Sequence, residues 1–257
     1  MSFYEPLAAD GSRWRATAHT SGPWDELSQH GGPPSALLGR AVERTAPRTD
    51  MVVARVTVEI LGPIPVGELD LVSRVVRPGR SVELVEAVLS AGGRDVARAA
   101  AWRVLRTDAG TAVEGASVDL PDDVAYRLAD GWGGGYLAAV EWRFAQGDFG
   151  RPGPSVAWTR LREPLVPDEE PSPLQRVLAV ADSGNGVSSR LDPRQWWFIN
   201  PELTVHLHRE AVGEWVCLDA RTTVSPGGVG LATSVLSDRS GPVGVGAQSL
   251  LVGRRPS

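Results

Sequence analysis

Polar and apolar residues alternate along most of this chain, which predicts strands, and helical spacing interrupts them twice. In LTVHLH, Leu203, Val205 and Leu207 face one way while Thr204, His206 and His208 face the other, the period of 2 expected of a strand. At Leu174, Val177, Leu178 and Ala181 the apolar positions recur at helical spacing instead. Just before them, Ser172-Pro173 with Gln175 three positions after the serine has the form of a capping box with proline in the first turn. The other predicted helix is the short apolar run SALLGRA, entered through His30-Gly31-Gly32-Pro33-Pro34. The turns RPGRS and SPGGV supply proline and glycine where hairpins need them.

The elements form a repeat. From Arg55 and again from Glu202 the chain runs through one series: Thr-Val in an alternating strand, a turn reaching Val-Gly-Glu at residues 66–68 and 212–214, and a long apolar strand. A Pro-Gly turn, another strand, a glycine-containing hairpin and a last strand complete each copy. One helix precedes each block. Two short strands precede each helix, near residues 3–7 and 14–19 in the first half and within AAVEWRFAQG and PSVAWTRLRE in the second. This pattern predicts an α+β protein of two repeats, each with one helix wrapped by an antiparallel sheet. It divides the chain into an N-terminal unit, 1–106, a connector, 107–136, and a C-terminal unit, 137–257. The run DGWGGGY reads as connector, because it lacks the phosphate-loop pattern.

Composition narrows the chemistry. With 257 residues, 42% of them hydrophobic, the chain can bury a sizeable core. A net charge of −5 with no basic run argues against a nucleic-acid partner. Every basic residue is an arginine, which excludes a lysine nucleophile or Schiff base. The single cysteine, Cys217 in EWVCLDA, excludes an internal disulfide and a cysteine-based metal site, and reads as a small core residue. The first residues lack the features of a signal peptide and no apolar run has the length of a membrane span, so a cytoplasmic location is expected. His206 and His208 share a strand face, but no third ligand is evident, and no metal is expected. The Gly-x-Ser-x-Gly elbow of serine hydrolases does not occur.

Four motifs, QHGGPPSALLGRA, AVADSGNG, FINPELTVHLHR and VGAQSLLV, stand in an order that, with the repeat, resembles the double hotdog fold. They are similar to the acyl-CoA thioesterase II family and its actinobacterial thioesterase-like relatives. The resemblance covers most of the chain. It implies a cofactor-free hydrolase whose substrate is an acyl-CoA or related thioester, and it allows a homo-oligomer, since double hotdogs associate further. In that family water attacks the thioester carbonyl. The resemblance implies an aspartate on the second-half helix, a glutamine on the last strand and a small polar residue where the strand after the helix starts. By motif these are Asp182, Gln248 and Asn200. The family's best-known members carry threonine at the last position, and Thr204 is its rival here.

Aligned without gaps, HGGPPSALLG and PLQRVLAVAD set His30 opposite Pro173 and Gly39 opposite Asp182. Each half then keeps one part of a site: the first the His-Gly-Gly entrance, the second the carboxylate. In the proteins this chain resembles, hotdog units pair about a two-fold axis with sites between them, so the resemblance implies one complete active site per chain. Gly31 and Gly32 would let a carbonyl approach bare backbone at the positive end of a helix, where N–H groups suit an oxyanion, with His30 lining the site or bonding the loop. Plainer readings stand beside these. Gly-Gly-Pro-Pro is also a loop entering a helix, Asp182 also a cap for the SGNG turn, and Gln248 also a solvent-facing strand residue. Trp196 and Trp197 wall an acyl tunnel or belong to the core. A hotdog hydratase would pair its aspartate with a histidine a few residues on, and the run ADSGNGVSSRLD at Asp182 holds none. A non-catalytic acyl-binding protein remains the other alternative.

Overall fold

The computed structural model describes residues 1–108, 110, 118–121, 126 and 134–255. Most of the predicted connector therefore lies outside the described residues. In the first half the strands are β1 (Tyr4–Pro6), β2 (Arg13–Ala16), β3 (Ser21–Gly22), β4 (Asp25–Gln29), β5 (Met51–Ile60), β6 (Glu68–Arg77), β7 (Val82–Ala91) and β8 (Arg94–Leu105), with helix α1 (Gly32–Arg44) before β5. The second half opens with the short helix α2 (Gly135–Ala139), then β9 (Val140–Asp148), β10 (Arg151–Leu161), α3 (Pro173–Ala181) and α4 (Gly184–Val187). It continues through β11 (Trp196–Ile199), β12 (Glu202–Leu207), β13 (Val216–Val224), β14 (Val229–Asp238) and β15 (Gly241–Arg254).

One large antiparallel sheet runs β1-β2-β6-β7-β8-β5-β12-β15-β14-β13-β10-β9, with β11 also on β15. The order reads the same outward from its centre in both directions, as duplication requires. At the centre β5 pairs with β12, and Thr57 lies directly opposite Thr204, the two residues that open the repeat in sequence. The pseudo-two-fold axis therefore passes beside this pair.

The inner face of each half-sheet wraps a helix. In β7 the burial alternates, with Val85, Ala87 and Leu89 fully buried, and α1 lies against β6, β7 and β8. Leu37 and Leu38 are fully buried, each contributing roughly 1.5–3 kcal/mol on the area scale. No helix among the described residues is long and apolar enough to cross a membrane. Cys217 is buried in β13, where burial pushes its thiol up to about 12.

α1 and α3 pack on each other as an antiparallel pair: the start of α1 meets the end of α3, and the end of α1 meets the start of α3. The contact is close because Gly32 carries no side chain; a Cβ there would fall on the carbonyl of Ala179. Ser172 caps α3 as the sequence suggests, its Oγ accepting the Gln175 N–H at 3.2 Å. The return half of the capping box is not made. The Gln175 amide donates to Glu43 Oε2 at 2.8 Å instead, drawn across the helix pair by that carboxylate.

The gapless helix alignment needs correction at Gly39. This residue lies where the helices cross, and a Cβ there would come within 2.5 Å of Leu178 Cδ1. α1 has 13 residues and α3 has 9, so α1 runs a further turn past Gly39. The acid at its far end is Glu43.

Candidate active site

The site is assembled where the start of α1 meets the end of α3. Asp182 is the C-cap of α3 and is 3% exposed. A carboxylate so buried is costly unless hydrogen-bonded. Its Oδ1 accepts from Asn200 Nδ2 at 2.6 Å and from Gln248 Nε2 at 3.1 Å, and Gln248 Nε2 also lies 2.8 Å from the Asp182 carbonyl. Asn200 is delivered by the end of β11, and Gln248 by the inner face of β15. The amide of Gln248 is fixed at its other end too, where Oε1 accepts the Asn185 N–H at 3.0 Å. Gln248 is thus a buried residue and not a solvent-facing one.

Oδ2 of Asp182 accepts no hydrogen bond among the described residues. It faces the first half: a Cβ on Gly31 would come within 2.6 Å of it, and His30 Nδ1 lies 3.5 Å away. His30 Nδ1 itself accepts the Gly32 N–H at 3.0 Å. Neutral His30 therefore carries its proton on Nε2, and the 3.5 Å approach to Asp182 is a contact between two acceptors. Burial holds the His30 imidazole below its usual pKa range, opposed by the attraction of Asp182. Of the two glycine N–H groups expected to face substrate, the one on Gly32 is closed onto His30. The Gly31 N–H meets no acceptor among the described residues.

Thr204 is not part of this cluster. Its hydroxyl lies 3.2 Å from Thr57 Oγ1 on the pseudo-two-fold axis and 3.1 Å from Glu202 Oε2. Asn200, four residues earlier, is the polar side chain on Asp182. Trp196 and Trp197 are half-buried on β11. Trp196 packs beside Ala232, Leu250 and Val252, and Trp197 Nε1 donates to the Arg254 carbonyl.

Sequence reasoning missed a third contributor. Tyr136, the last residue of the predicted connector, is fully buried in α2. Its ring stacks on His30 with centroids 3.9 Å apart and planes at 11°. Its hydroxyl lies 2.9 Å from the Ala179 carbonyl and 2.8 Å from Ser183 Oγ. Burial pushes its phenol far above the ordinary range, so it stays protonated. A lone tyrosine behind a glycine run carries no sequence signal for this place.

Comparison with known proteins fixes the family. The model of the acyl-CoA thioesterase N-terminal domain matches residues 20–104, and that of the acyl-CoA thioesterase C-terminal domain matches residues 118–252. The chain belongs to the acyl-CoA thioesterase family. Solved structures agree on the fold. A hot dog fold protein of unknown function from Alicyclobacillus acidocaldarius has a TM-score of 0.74 at 17% identity, over 98% of this chain and 96% of that one. The tesB protein of Mycobacterium avium subs paratuberculosis gives 0.68 at 17%, over 98% and 96%. The acyl-CoA thioesterase II TesB2 of Mycobacterium marinum gives 0.63 at 16%, over 99% and 96%. Among curated proteins none matches the chain. The architecture is the double hotdog, and this thioesterase-family chain carries one copy of the unit in each half.

Proposed function

We propose that the chain hydrolyses an acyl-CoA thioester at Asp182. The observation that carries this reading is the asymmetry of the Asp182 carboxylate. Oδ1 is tied by Asn200 and Gln248, while Oδ2 accepts nothing among the described residues and faces the start of α1. A base needs that arrangement: one oxygen fixed, the other open to the proton it will take.

Asp182 Oδ2 accepts a proton from water as the water oxygen adds to the thioester carbon. The carbonyl oxygen becomes an oxyanion beside the Gly31 N–H at the positive end of α1. Collapse of the tetrahedral intermediate breaks the carbon–sulfur bond. The thiolate leaves and takes up the proton, giving free acid and CoA thiol. Both donor directions of Gln248 already serve Asp182, so its role is to aim the carboxylate. Asn200 shares that work in place of the family's threonine. The first half supplies the oxyanion donor and the second half the base, so each chain has one site.

The test is thiol release from a panel of acyl-CoAs by the wild type and by Asp182→Asn. Turnover of at least one thioester is expected, and Asp182→Asn should lower kcat by about 10²- to 10⁴-fold with an unchanged circular dichroism spectrum. Equal turnover by the variant would remove Asp182 from the mechanism. Binding of acyl-CoA without turnover by the wild type would favour the non-catalytic alternative.

A further inference from the structure

We infer that Tyr136 is a positioning residue that sets both halves of the site at once, its ring holding His30 and its hydroxyl holding the end of α3. The inference rests on the reading of Asp182 as the base. Its grounds are geometric.

The parallel stack at 3.9 Å covers one face of the His30 imidazole. His30 Nδ1 closes on the Gly32 N–H, and the same short segment presents Gly31 to Asp182. A ring that could tilt would release that closure and move the α1 start. The hydroxyl acts on the other half. One hydrogen bond can go to the Ala179 carbonyl, in the last turn of α3, and Ser183 Oγ then donates back to the phenol oxygen. These contacts flank Asp182 on both sides in sequence. The Ser183 N–H in turn donates to the Val180 carbonyl at 2.9 Å, closing the turn that carries the carboxylate. Trp142, whose Nε1 donates to the Leu137 carbonyl at 3.0 Å, packs edge-on against Tyr136 and fixes the short helix that bears it. The only charged side chain described against His30 is Asp182. Tyr136 belongs to the second half, in the short helix that opens it, so one side chain of that copy registers its own base against the donor of the other copy.

Two variants separate ring from hydroxyl. Tyr136→Phe keeps the stack and removes the hydroxyl. It should lower kcat about tenfold with KM within about twofold, as expected when reacting groups are slightly misplaced. It should also speed amide exchange at Ser183 about fivefold, the effect of one lost hydrogen bond. Tyr136→Leu removes the ring, and the His30 pKa, read by NMR of histidine-labelled protein and assigned with His30→Gln, should rise. The sequence has only four histidines, which makes that resonance tractable. Amide exchange and the His30 titration need no turnover, so they decide the inference even if no thioester is hydrolysed. If Tyr136→Leu fails to fold, Tyr136→Phe decides alone. Wild-type kcat and wild-type Ser183 exchange in Tyr136→Phe, or an unmoved His30 titration in Tyr136→Leu, would overturn it.

Discussion

The two ends of the α1–α3 pair are related by the duplication and have diverged chemically. At one end Asp182 meets His30 and Gly31. At the other Glu43 meets the start of α3, where Ser172 Oγ donates to it at 2.7 Å and Gln175 Nε2 at 2.8 Å. Both ends thus hold a carboxylate against a helix start. The difference lies in the sheet. Thr204 faces Ala247 and Thr57 faces Ala100, so the counterpart of Gln248 is Ala101. Four residues before each central threonine stand Asn200 and Val53. The Glu43 end therefore has no amide from the sheet to aim its acid, and Pro173 at its helix start has no N–H to offer. A cavity of about 390 Å³ opens there, bounded by Glu43, Met51, Val53, Arg103, Leu174 and Leu207. Burial raises the Glu43 pKa, partly offset by Gln175 and Ser172. On the proposed reading the working end is the one where side-chain amides fix one carboxylate oxygen and leave the other open.

The comparison can be broken most severely at Gly31. Gly31→Val keeps the N–H but places side-chain atoms where Oδ2 of Asp182 sits, pushing the base and the start of α1 apart, and kcat should fall about 10²-fold, the scale of misplacing reacting groups. Undiminished activity would argue against a role for this backbone. Next, Gln248→Ala makes the Asp182 end resemble the Glu43 end by copying Ala101. Loss of a hydrogen bond to a charged group points to a drop in kcat of about 10- to 100-fold, and steady-state kinetics with an unchanged rate would contradict the aiming role.

Smaller effects concern stability. Gly32→Ala drives a methyl group into the Ala179 carbonyl, and overpacking of this kind costs about 1–3 kcal/mol, measurable by urea unfolding. The pH dependence tests His30. Burial depresses its pKa in the fold, so the unfolded chain takes up the proton first as pH falls. Stability tied to His30 is complete above the unfolded value of about 6.5 and declines as pH drops from there toward the folded value. Between pH 7.5 and 5, His30→Gln should therefore lose less stability than the wild type. Parallel losses would mean that His30 is not held neutral.

Much of this was legible in the chain because the signals were local or repeated. Period 2 and helical spacing mark the strands and both central helices, and the shared order of motifs marks the duplication, while the pairing of Thr57 with Thr204 is visible only in the fold. Asp182, Asn200 and Gln248, which the resemblance groups, are hydrogen-bonded to one another in the fold. What stayed hidden depends on distance in sequence or on element length. Tyr136 reaches His30 across 106 positions with no periodicity to announce it. The extra turn of α1 is invisible to a gapless alignment, which sets Gly39 and not Glu43 opposite Asp182. The sequence offers both glycines as bare backbone for a ligand, yet Gly32 is needed for the approach of α3. Side-chain partnership was beyond reach as well, since no pattern tells whether Gln175 turns back to its own helix or across to Glu43.

The most direct test sets the two ends against each other. Asp182→Asn and Glu43→Gln each remove one charge and little volume, and kcat/KM for one acyl-CoA is measured for both beside the wild type. The account predicts a loss of about 10²-fold or more for Asp182→Asn and a value within about twofold of wild type for Glu43→Gln. Equal losses in the two variants would contradict it.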